Sequence, residues 1–475
     1  MTMIIGRAWT CSDVRDLQTA MRLSIKKFSA LLAVEESTVS RWRSGSPPGP
    51  SSQAKLDAAL AAADSSTQQR FVELLAGTAE TFTGRRLEPE SGPGNPTGPH
   101  GSEIADEGLD GPWTSESALR IIDVVADSDD MQRRRFLPLL GAALTAPAHE
   151  WLLATPAAGP SGTRGPRVQL STVDQVDAIT ASLRHMDDQH GASTLLAMVQ
   201  THLRYVAGLL RNRTYDDIVG KRLLSSAAEL LRLAGWLAFD SGDHAPAQRY
   251  WVAALRAAHH AGDRALAANI LGFMSCQAKD LGRPQDATLL AETAKAGYRG
   301  ASPRVSTILH LRAAEAHACG GDPTATRRAL DNAFTALDET RNSSGPDWSY
   351  WIDGAQAHAQ AGFACLQLGQ HSDAREHLCT ALSLQNDTTT RESALRYTLL
   401  ATTHLHHSDT DVEQAVFYAG TAVKILSSDV ISARCVEHLT GIARHFAPHR
   451  HRPAVRELTE QISRLHASPT EGTSR

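Results

Sequence analysis

The sequence has few aromatic residues, no paired cysteine motif and no long hydrophobic run, and each absence excludes a class of protein. Aromatic residues make up 5% of the 475 residues, which disfavours a β-sandwich because its strands need Val, Ile, Tyr and Phe. The six cysteines form no CxxC pair, so we expect reduced thiols. No apolar run approaches the roughly 20 residues of a membrane span, and the N-terminus lacks a signal-peptide layout. These absences favour a cytoplasmic protein without membrane contact.

The sequence also lacks a net positive charge and the signature motifs of common catalytic sites. Lys and Arg number 47 against 52 Asp and Glu, a net charge of −5, so any DNA-binding surface must be local. The Walker A, GxGxxG, GxSxG and HExxH patterns are absent, and these patterns mark nucleotide, nucleophile or metal sites. The 21 histidines, including His259 and His260, lack carboxylates or thiols at ligand spacing and are interpreted as solvated helix positions. We therefore expect that the protein is not an enzyme and that it binds neither a cofactor nor a metal ion.

What is present is a helical repeat between residues 170 and 466. Stretches 233–263 and 359–387 share an Ala/Leu-rich helix, a turn with Gly or Asp, and a second helix. The turn markers, spaced by 40, 39, 48 and 40 residues, are Gly242, Gly282, Gly321, Gly369 and Asp409. These intervals exceed the roughly 34 residues of a regular tetratricopeptide unit. Because one hairpin cannot bury its own apolar face, we predict an all-α fold containing an α-solenoid of degenerate tetratricopeptide-like hairpins.

Residues 24–45 predict two short helices joined by a tight turn. Ser24 suits the N-cap of a first helix that runs to about Leu32. The apolar side chains expected on one face of this helix are Ile25, Phe28, Leu31 and Leu32. The first helix is therefore amphipathic, with one face available for burial.

The second helix is expected to begin at Ser37, after a turn over residues 33–36, and to end at Gly45. Its inward-facing residues are predicted to be Val39 and Trp42. The residues expected where the two helices cross are Ser29, Ala33 and Val39. Two short helices at this spacing have the layout of a helix-turn-helix.

The outward face of this pair carries residues suited to reading DNA. Hydrogen-bonding side chains must reach base edges in the major groove, while cations hold the flanking phosphates. The candidate base readers are Ser37, Thr38, Ser40 and Arg41, of which Arg41 is best suited to a guanine. The candidate phosphate anchors are Arg22, Lys26, Lys27 and Arg43. Five cations against Glu35 and Glu36 give this stretch a local charge of +3. The alternative is a small helical packing unit with solvated charges.

The stretch AMRLSIKKFSALLAVEESTVSRWRSG, residues 20–45, resembles the Cro/C1-type, or xenobiotic-response-element (XRE), helix-turn-helix. Together with Trp9-Thr10, segment 51–75 and the repeat stretch 233–278, it resembles actinobacterial regulators with a C-terminal tetratricopeptide-like domain. That resemblance implies a cytoplasmic transcriptional regulator. Ile25 stands where many relatives have Gln and Ala33 where they have Gly, so no operator sequence carries over from the family.

Composition divides the chain into five predicted segments. Residues 83–112 are rich in Gly, Pro and acidic residues. They offer little apolar surface for burial, so burial cannot offset the conformational entropy lost when the segment becomes ordered. The predicted segments are a helix-turn-helix DNA-binding domain at 1–82, a disordered linker at 83–112, a connecting helical segment with a Pro/Gly-rich end at 113–169, the repeat domain at 170–466 and a disordered tail at 467–475.

Two further clusters leave alternatives open. The triplet Arg133-Arg134-Arg135 imitates a twin-arginine export signal, but it lies far from the N-terminus, so we favour an amphipathic or docking helix. It could equally contact DNA phosphates or acidic helix ends. Trp348, Tyr350 and Trp351 could line a concave groove that holds an effector, although packing between helix pairs is the favoured interpretation.

The main hypothesis is a sequence-specific DNA-binding transcriptional regulator whose repeat domain mediates dimerisation and binds an effector or partner. Its expected partners are double-stranded DNA, a second copy of the chain as a homodimer, and a peptide, small molecule or protein on the repeats. The alternative is a tetratricopeptide-like interaction scaffold or co-regulator that does not bind DNA. A third hypothesis, a peptide-sensing regulator, differs only in what the repeats bind.

Overall fold

The structure, a computed structural model, divides the chain into two compact units, Met1–Gly98 and Pro99–Arg475. The residues that it describes are 11–21, 23–44, 48, 52–53, 55–56, 59–60, 63, 67, 112–126, 139, 141–154, 162–163, 165–190, 192–385, 390–405, 410–427 and 432–467. The predicted linker, apart from residue 112, lies outside these residues, as does the tail after residue 467.

The elements described in the first unit are three short helices, α1 (Cys11–Ala20), α2 (Ile25–Leu31) and α3 (Glu36–Ser44). Their buried side chains form one small core, which consists of Val14, Leu17, Ala20, Phe28, Leu32, Val39, Trp42, Leu56 and Leu60. Each helix has at most ten residues and would be marginal alone in water. The shared core therefore holds the three helices together.

The first described elements of the second unit are two helices and a strand that belongs to a minimal sheet. The helices are α4 (Ser115–Ala126) and α5 (Ala142–Leu153), and the strands are β1 (Gly162–Thr163) and β2 (Thr214–Tyr215), which pair antiparallel. The helices that follow are α6 (Leu170–His190), α7 (Ala192–Asn212), α8 (Asp217–Asp240), α9 (His244–Ala261), α10 (Arg264–Asp280), α11 (Pro284–Gly297), α12 (Pro303–Cys319), α13 (Pro323–Glu339), α14 (Gly354–Gln367), α15 (His371–Leu384), α16 (Thr390–Thr403), α17 (Val412–Leu426), α18 (Ala433–Phe446) and α19 (Pro453–Ala467).

Consecutive helices from α8 to α19 pair as hairpins, and the hairpins stack. The first helices of successive hairpins, α8, α10, α12, α14, α16 and α18, contact one another in order, and α18 also contacts α8. The first and last of these hairpins therefore meet around a shared interior. The all-α class and the succession of tetratricopeptide-like helical hairpins expected from the sequence are confirmed.

The turn glycines lie where the sequence places them, and their backbone shows why glycine is used. Gly242, Gly282, Gly321 and Gly369 have φ between 69° and 86°, a left-handed conformation that costs other L-residues about 1–2 kcal/mol. The longer interval before Gly369 comes from residues 340–353, between α13 and α14, which include two short 3-10 helices. The irregular period thus reflects one long connection.

The stack is held by aromatic and small residues in contact between helices. Trp251 on α9 is fully buried, and its indole nitrogen donates to the carbonyl of Arg232 on α8 at 3.2 Å. A Cβ at Gly235 would lie 2.4 Å from that nitrogen, so only glycine admits the ring. Tyr250 and Phe273 are buried in the same core, in agreement with the interpretation of the repeat aromatics as packing residues.

Helices α4 and α5 lie against the stack, with α4 on α7 and α9, and α5 on α9 and α11. This cover overturns the expectation that His259 and His260 are solvated, because both are at most 2% exposed. The Trp113 ring lies 5.0 Å from that of His259. Burial, together with His259 and Arg256, lowers the pKa of His260 to about 4.

Candidate functional site

The first candidate site is built on α2 and α3, and local capping explains where α2 begins and ends. Ser24 is the N-cap, and its hydroxyl accepts from the backbone N–H of Lys27 at 3.3 Å. At the other end the N–H groups of Ala33 and Val34 donate to the carbonyls of Ala30 and Ser29. This pattern is a Schellman motif, which ends a helix with one left-handed residue. The predicted first helix is confirmed.

Ala33 is that left-handed residue, with φ of 49°. Glycine is the residue that adopts this conformation without strain, which explains in physical terms why the resembled family has Gly there. Ala33 is exposed, so the expectation that it packs where the helices cross is wrong. Its carbonyl instead accepts from the ammonium of Lys55 at 3.0 Å.

The core sides of the two helices follow the predicted spacing with one exception. Phe28, Val39 and Trp42 are buried as expected, and Ser29 is buried with its hydroxyl donating to the carbonyl of Lys26 at 3.0 Å. Leu31, however, is 53% exposed. It lies one residue before Leu32, and only one of two adjacent helical positions can face a core this narrow.

The opposite side of the pair presents an exposed polar surface, here called the cationic face. Its exposed members are Lys26, Lys27, Ser37, Ser40 and Arg41, and Thr38 is half-buried. The backbone of α3 extends to Ser44 and so includes Arg43, whose side chain, like the whole of Arg22, lies outside the described residues. Helix α3 begins at Glu36, one residue earlier than expected.

The spacing of the α3 residues determines what the cationic face can contact. Ser37, Ser40 and Arg41 are three and four residues apart, so they share one side of the helix. The hydroxyl of Ser37 donates to a carboxylate oxygen of Glu35 at 3.2 Å. A short helix that exposes an arginine and hydroxyls beside two lysines has the donors that base edges and phosphates require.

The second candidate site lies in the interior of the hairpin stack, where four helices meet at a buried ion cluster. Asp240, at the end of α8, is fully buried, and its carboxylate is 3.2 Å from Nε of Arg434 on α18. It is also 3.5 Å from Arg391 on α16, which reaches Asp187 on α6 at 3.0 Å. The Ser432 hydroxyl donates to Asp240 at 2.8 Å. The cluster therefore joins the two ends of the stack.

The electrostatics of this cluster favour its charged state. Burial opposes the charge of Arg391, but Asp187 and Asp240 raise its pKa well above the ordinary value. One signal of this cluster is local, since Asp240 directly follows the apolar run Leu-Ala-Phe of α8. Its arginine partners are 151 and 194 residues away along the chain, which no local pattern reveals.

The aromatic residues proposed to line a groove lie in the connection between α13 and α14. Trp348 is buried in the main core at 3% exposure. Tyr350 is half-buried, and its hydroxyl donates to the carbonyl of Arg184 on α6 at 3.3 Å. Trp351 is also half-buried, with its ring 6.4 Å from that of Phe273. The three residues are brought together, and Tyr350 links the connection to α6.

The remaining expectations concern the arginine triplet, metal ligands and membrane-spanning helices. Arg133, Arg134 and Arg135 are not among the described residues. Within the described part of the chain, no group of three or more His, Cys, Asp or Glu side chains could hold a metal ion. No helix in that same part has both the length and the apolar character to cross a membrane.

Comparison with known proteins gives a distant structural likeness. No protein-family model matches the chain, and no curated protein matches it. Among solved structures it is similar to a repeat protein of Podosopora anserina described as a kinesin light chain with nearly identical TPR-like repeats, at 18% identity. The likeness covers 43% of this chain and 96% of that chain, with a TM-score of 0.31. A likeness at this distance carries no argument about function.

Proposed function

We propose that this protein is a helical-repeat interaction scaffold that carries a DNA-binding head, formed by α1, α2 and α3, and acts as a sequence-specific transcriptional regulator. One observation carries the DNA-binding part, namely the cationic face of α2 and α3 opposite a buried core. The resemblance of residues 20–45 to the Cro/C1-type helix-turn-helix supports the same proposal. The repeats would supply the contact with a partner or effector, because stacked hairpins provide extended surfaces.

The proposed mechanism places α3 in the major groove. Arg41 would donate to a guanine, and Ser37, Thr38 and Ser40 would contact neighbouring bases or phosphates. Lys26, Lys27, Arg22 and Arg43 would neutralise phosphates and fix the orientation of the head. One small head makes few contacts, so we propose that the repeats also pair two copies, which places two heads on two half-sites.

The test measures DNA binding by the full chain and two head variants. A preferred duplex is first selected from a random-sequence library with the wild-type protein. Arg41→Ala should weaken binding to that duplex by about 1–3 kcal/mol and relax its sequence preference. Lys26→Ala should instead weaken binding to selected and random duplexes alike. It should also reduce the slope of log affinity against log salt concentration by about one, the share of one phosphate contact.

The matched control is Arg204→Ala, which removes an exposed arginine of α7 and should leave DNA binding unchanged. If Arg41→Ala keeps the wild-type preference, α3 does not read the bases. If the wild-type chain binds no duplex even at low salt, the head has another role.

A second candidate function, a scaffold without DNA binding, is favoured by the size of the repeat unit. The hairpins occupy the long second unit, whereas the candidate DNA surface uses two helices of seven and nine residues. The salt series above separates the two functions, because phosphate contacts produce a steep loss of DNA affinity with salt and a scaffold without DNA binding shows none.

A further inference from the structure

The interior of the hairpin stack contains a cavity beside the ion cluster. It has a volume of about 60 Å³ and lies between α8, α10, α12, α14, α16 and α18. A single water needs about 10–15 Å³ of such space, so several waters or one small polar group fit. The polar residues that matter below are Lys279, Gln360, Glu392, Arg396 and Arg434, all of which line the cavity.

The lining carries more positive than negative charge. Its cations are Lys279, Arg312, Arg396 and Arg434, and its carboxylates are Glu315 and Glu392. Three of the four cations have acidic partners: Lys279 and Arg312 both reach Glu315, at 3.4 and 3.0 Å, and Arg434 reaches Asp240.

Arg396 is different from these three cations. It is 4% exposed, and among the described residues its two terminal nitrogens donate only to the amide oxygens of Gln385 and Gln356, at 2.9 and 3.1 Å. Among the described residues, no carboxylate lies within ion-pair distance of it, and its Nε has no hydrogen-bond acceptor. Burial lowers the pKa of Arg396, and Glu392 and Asp353 oppose this shift only from beyond ion-pair distance. A buried guanidinium without a close anion is costly, and among the described residues Arg396 has no such partner, unlike each neighbouring cation.

A second polar atom in the cavity is also unpartnered. Oε1 of Gln360 on α14 accepts no hydrogen bond from any described residue, and Gln360 is 5% exposed. The cavity therefore offers a guanidinium donor on α16 and an amide acceptor on α14. Hydroxyl-bearing anions match both groups, since an anionic oxygen suits the donor and a hydroxyl suits the acceptor.

We propose that this cavity binds a small anion through a phosphate or carboxylate group placed against Arg396. Such a ligand would complete the pairing of the lining charges and would bridge first helices of neighbouring hairpins. Binding would stabilise the closed arrangement in which the two ends of the stack meet. This inference does not depend on DNA binding by the head.

The experiment titrates the full chain with inorganic phosphate and, separately, with lactate, a small carboxylate that carries a hydroxyl, against sodium chloride at equal ionic strength. Calorimetry gives the dissociation constant, and thermal unfolding gives the change in Tm. A ligand that binds only the folded state raises Tm with concentration. We expect saturable binding of phosphate or lactate and a rise in Tm that chloride does not produce. The arm that binds tighter tells whether the site prefers phosphate or carboxylate.

Two variants of α16 with opposite expected effects test the site. Arg396→Gln removes the guanidinium and should weaken anion binding about tenfold or more, the size of one charge-assisted hydrogen bond. Glu392→Gln removes a lining carboxylate and should tighten binding, because a repulsive charge is lost. The surface control Arg204→Gln should match the wild type.

The outcomes are decisive in both directions. If neither anion binds more tightly than chloride, or if Arg396→Gln binds as the wild type does, the proposal is overturned. If Arg396→Gln does not fold, the sign of the Glu392→Gln effect decides, since unchanged or weaker binding in that variant contradicts an anion site in this cavity.

Discussion

The head and the hairpin stack use their Lys and Arg side chains in opposite ways. In the head, Lys26, Lys27 and Arg41 are exposed on the side away from a small apolar core. In the stack, Arg391 and Arg434 are buried and bound to Asp187 and Asp240. The exposed cations lie on the surface of the head, whereas the buried ones join distant parts of the chain. Burial and pairing, more than residue type, therefore separate the residues proposed to contact DNA from the structural ones.

The largest effect is expected from breaking the ion cluster of the stack. Asp240→Ala leaves Arg434 without this carboxylate and removes one of the acids near Arg391, and an uncompensated buried charge costs about 3–5 kcal/mol. Chemical denaturation followed by far-ultraviolet circular dichroism should show the unfolding of the stack at lower denaturant.

The control for this variant lies on the same helix. Asp217→Ala removes an exposed acid that pairs with Lys221 at 2.7 Å, and such surface pairs contribute about 0.3–0.5 kcal/mol. Equal losses of stability in the two variants would show that the Asp240 cluster does not hold the ends of the stack together.

A smaller effect is expected from the core of the head. Val39→Ala removes two buried carbon atoms and leaves a cavity, at a cost of about 2 kcal/mol. Leu31→Ala removes more carbon atoms but should cost less, because Leu31 is 53% exposed. Amide hydrogen exchange measured by mass spectrometry should show faster exchange in residues 11–44 of the Val39 variant and unchanged exchange in the stack. Faster exchange in both units would contradict their separate cores.

The smallest effect is expected at the turn of the head, and its sign is the test. Ala33→Gly relieves a left-handed conformation and should stabilise the head by about 0.5–1 kcal/mol, after the greater flexibility of unfolded glycine is counted. Ala30→Gly, at an exposed position inside α2, should destabilise it by about the same amount. Hydrogen exchange of α2 reports both changes. If Ala33→Gly does not stabilise the head, the result argues against the left-handed turn at Ala33.

Local features were within reach of the sequence because they depend on neighbouring residues. Ser24 as an N-cap, the turn glycines and the buried faces of α2 and α3 all follow from hydrogen bonding and periodicity over a few residues. Leu31 was assigned to the wrong side because two adjacent apolar residues compete for one narrow core. His259 and His260 were misassigned because the residues that cover them, among them Trp113, are about 145 positions earlier in the chain.

The sequence by itself determined the helical class, the hairpin turns and the candidate DNA-reading face of this protein, since each is encoded by short-range spacing. Only the tertiary structure decided that the hairpins close on themselves through Asp240, Arg391 and Arg434. It also decided that Arg396 lines a cavity and has, among the described residues, no acidic partner within ion-pair distance. The physical reason is that ion pairing and burial are set by which helices meet. Those meetings join residues more than 150 positions apart, where no pattern along the chain connects them.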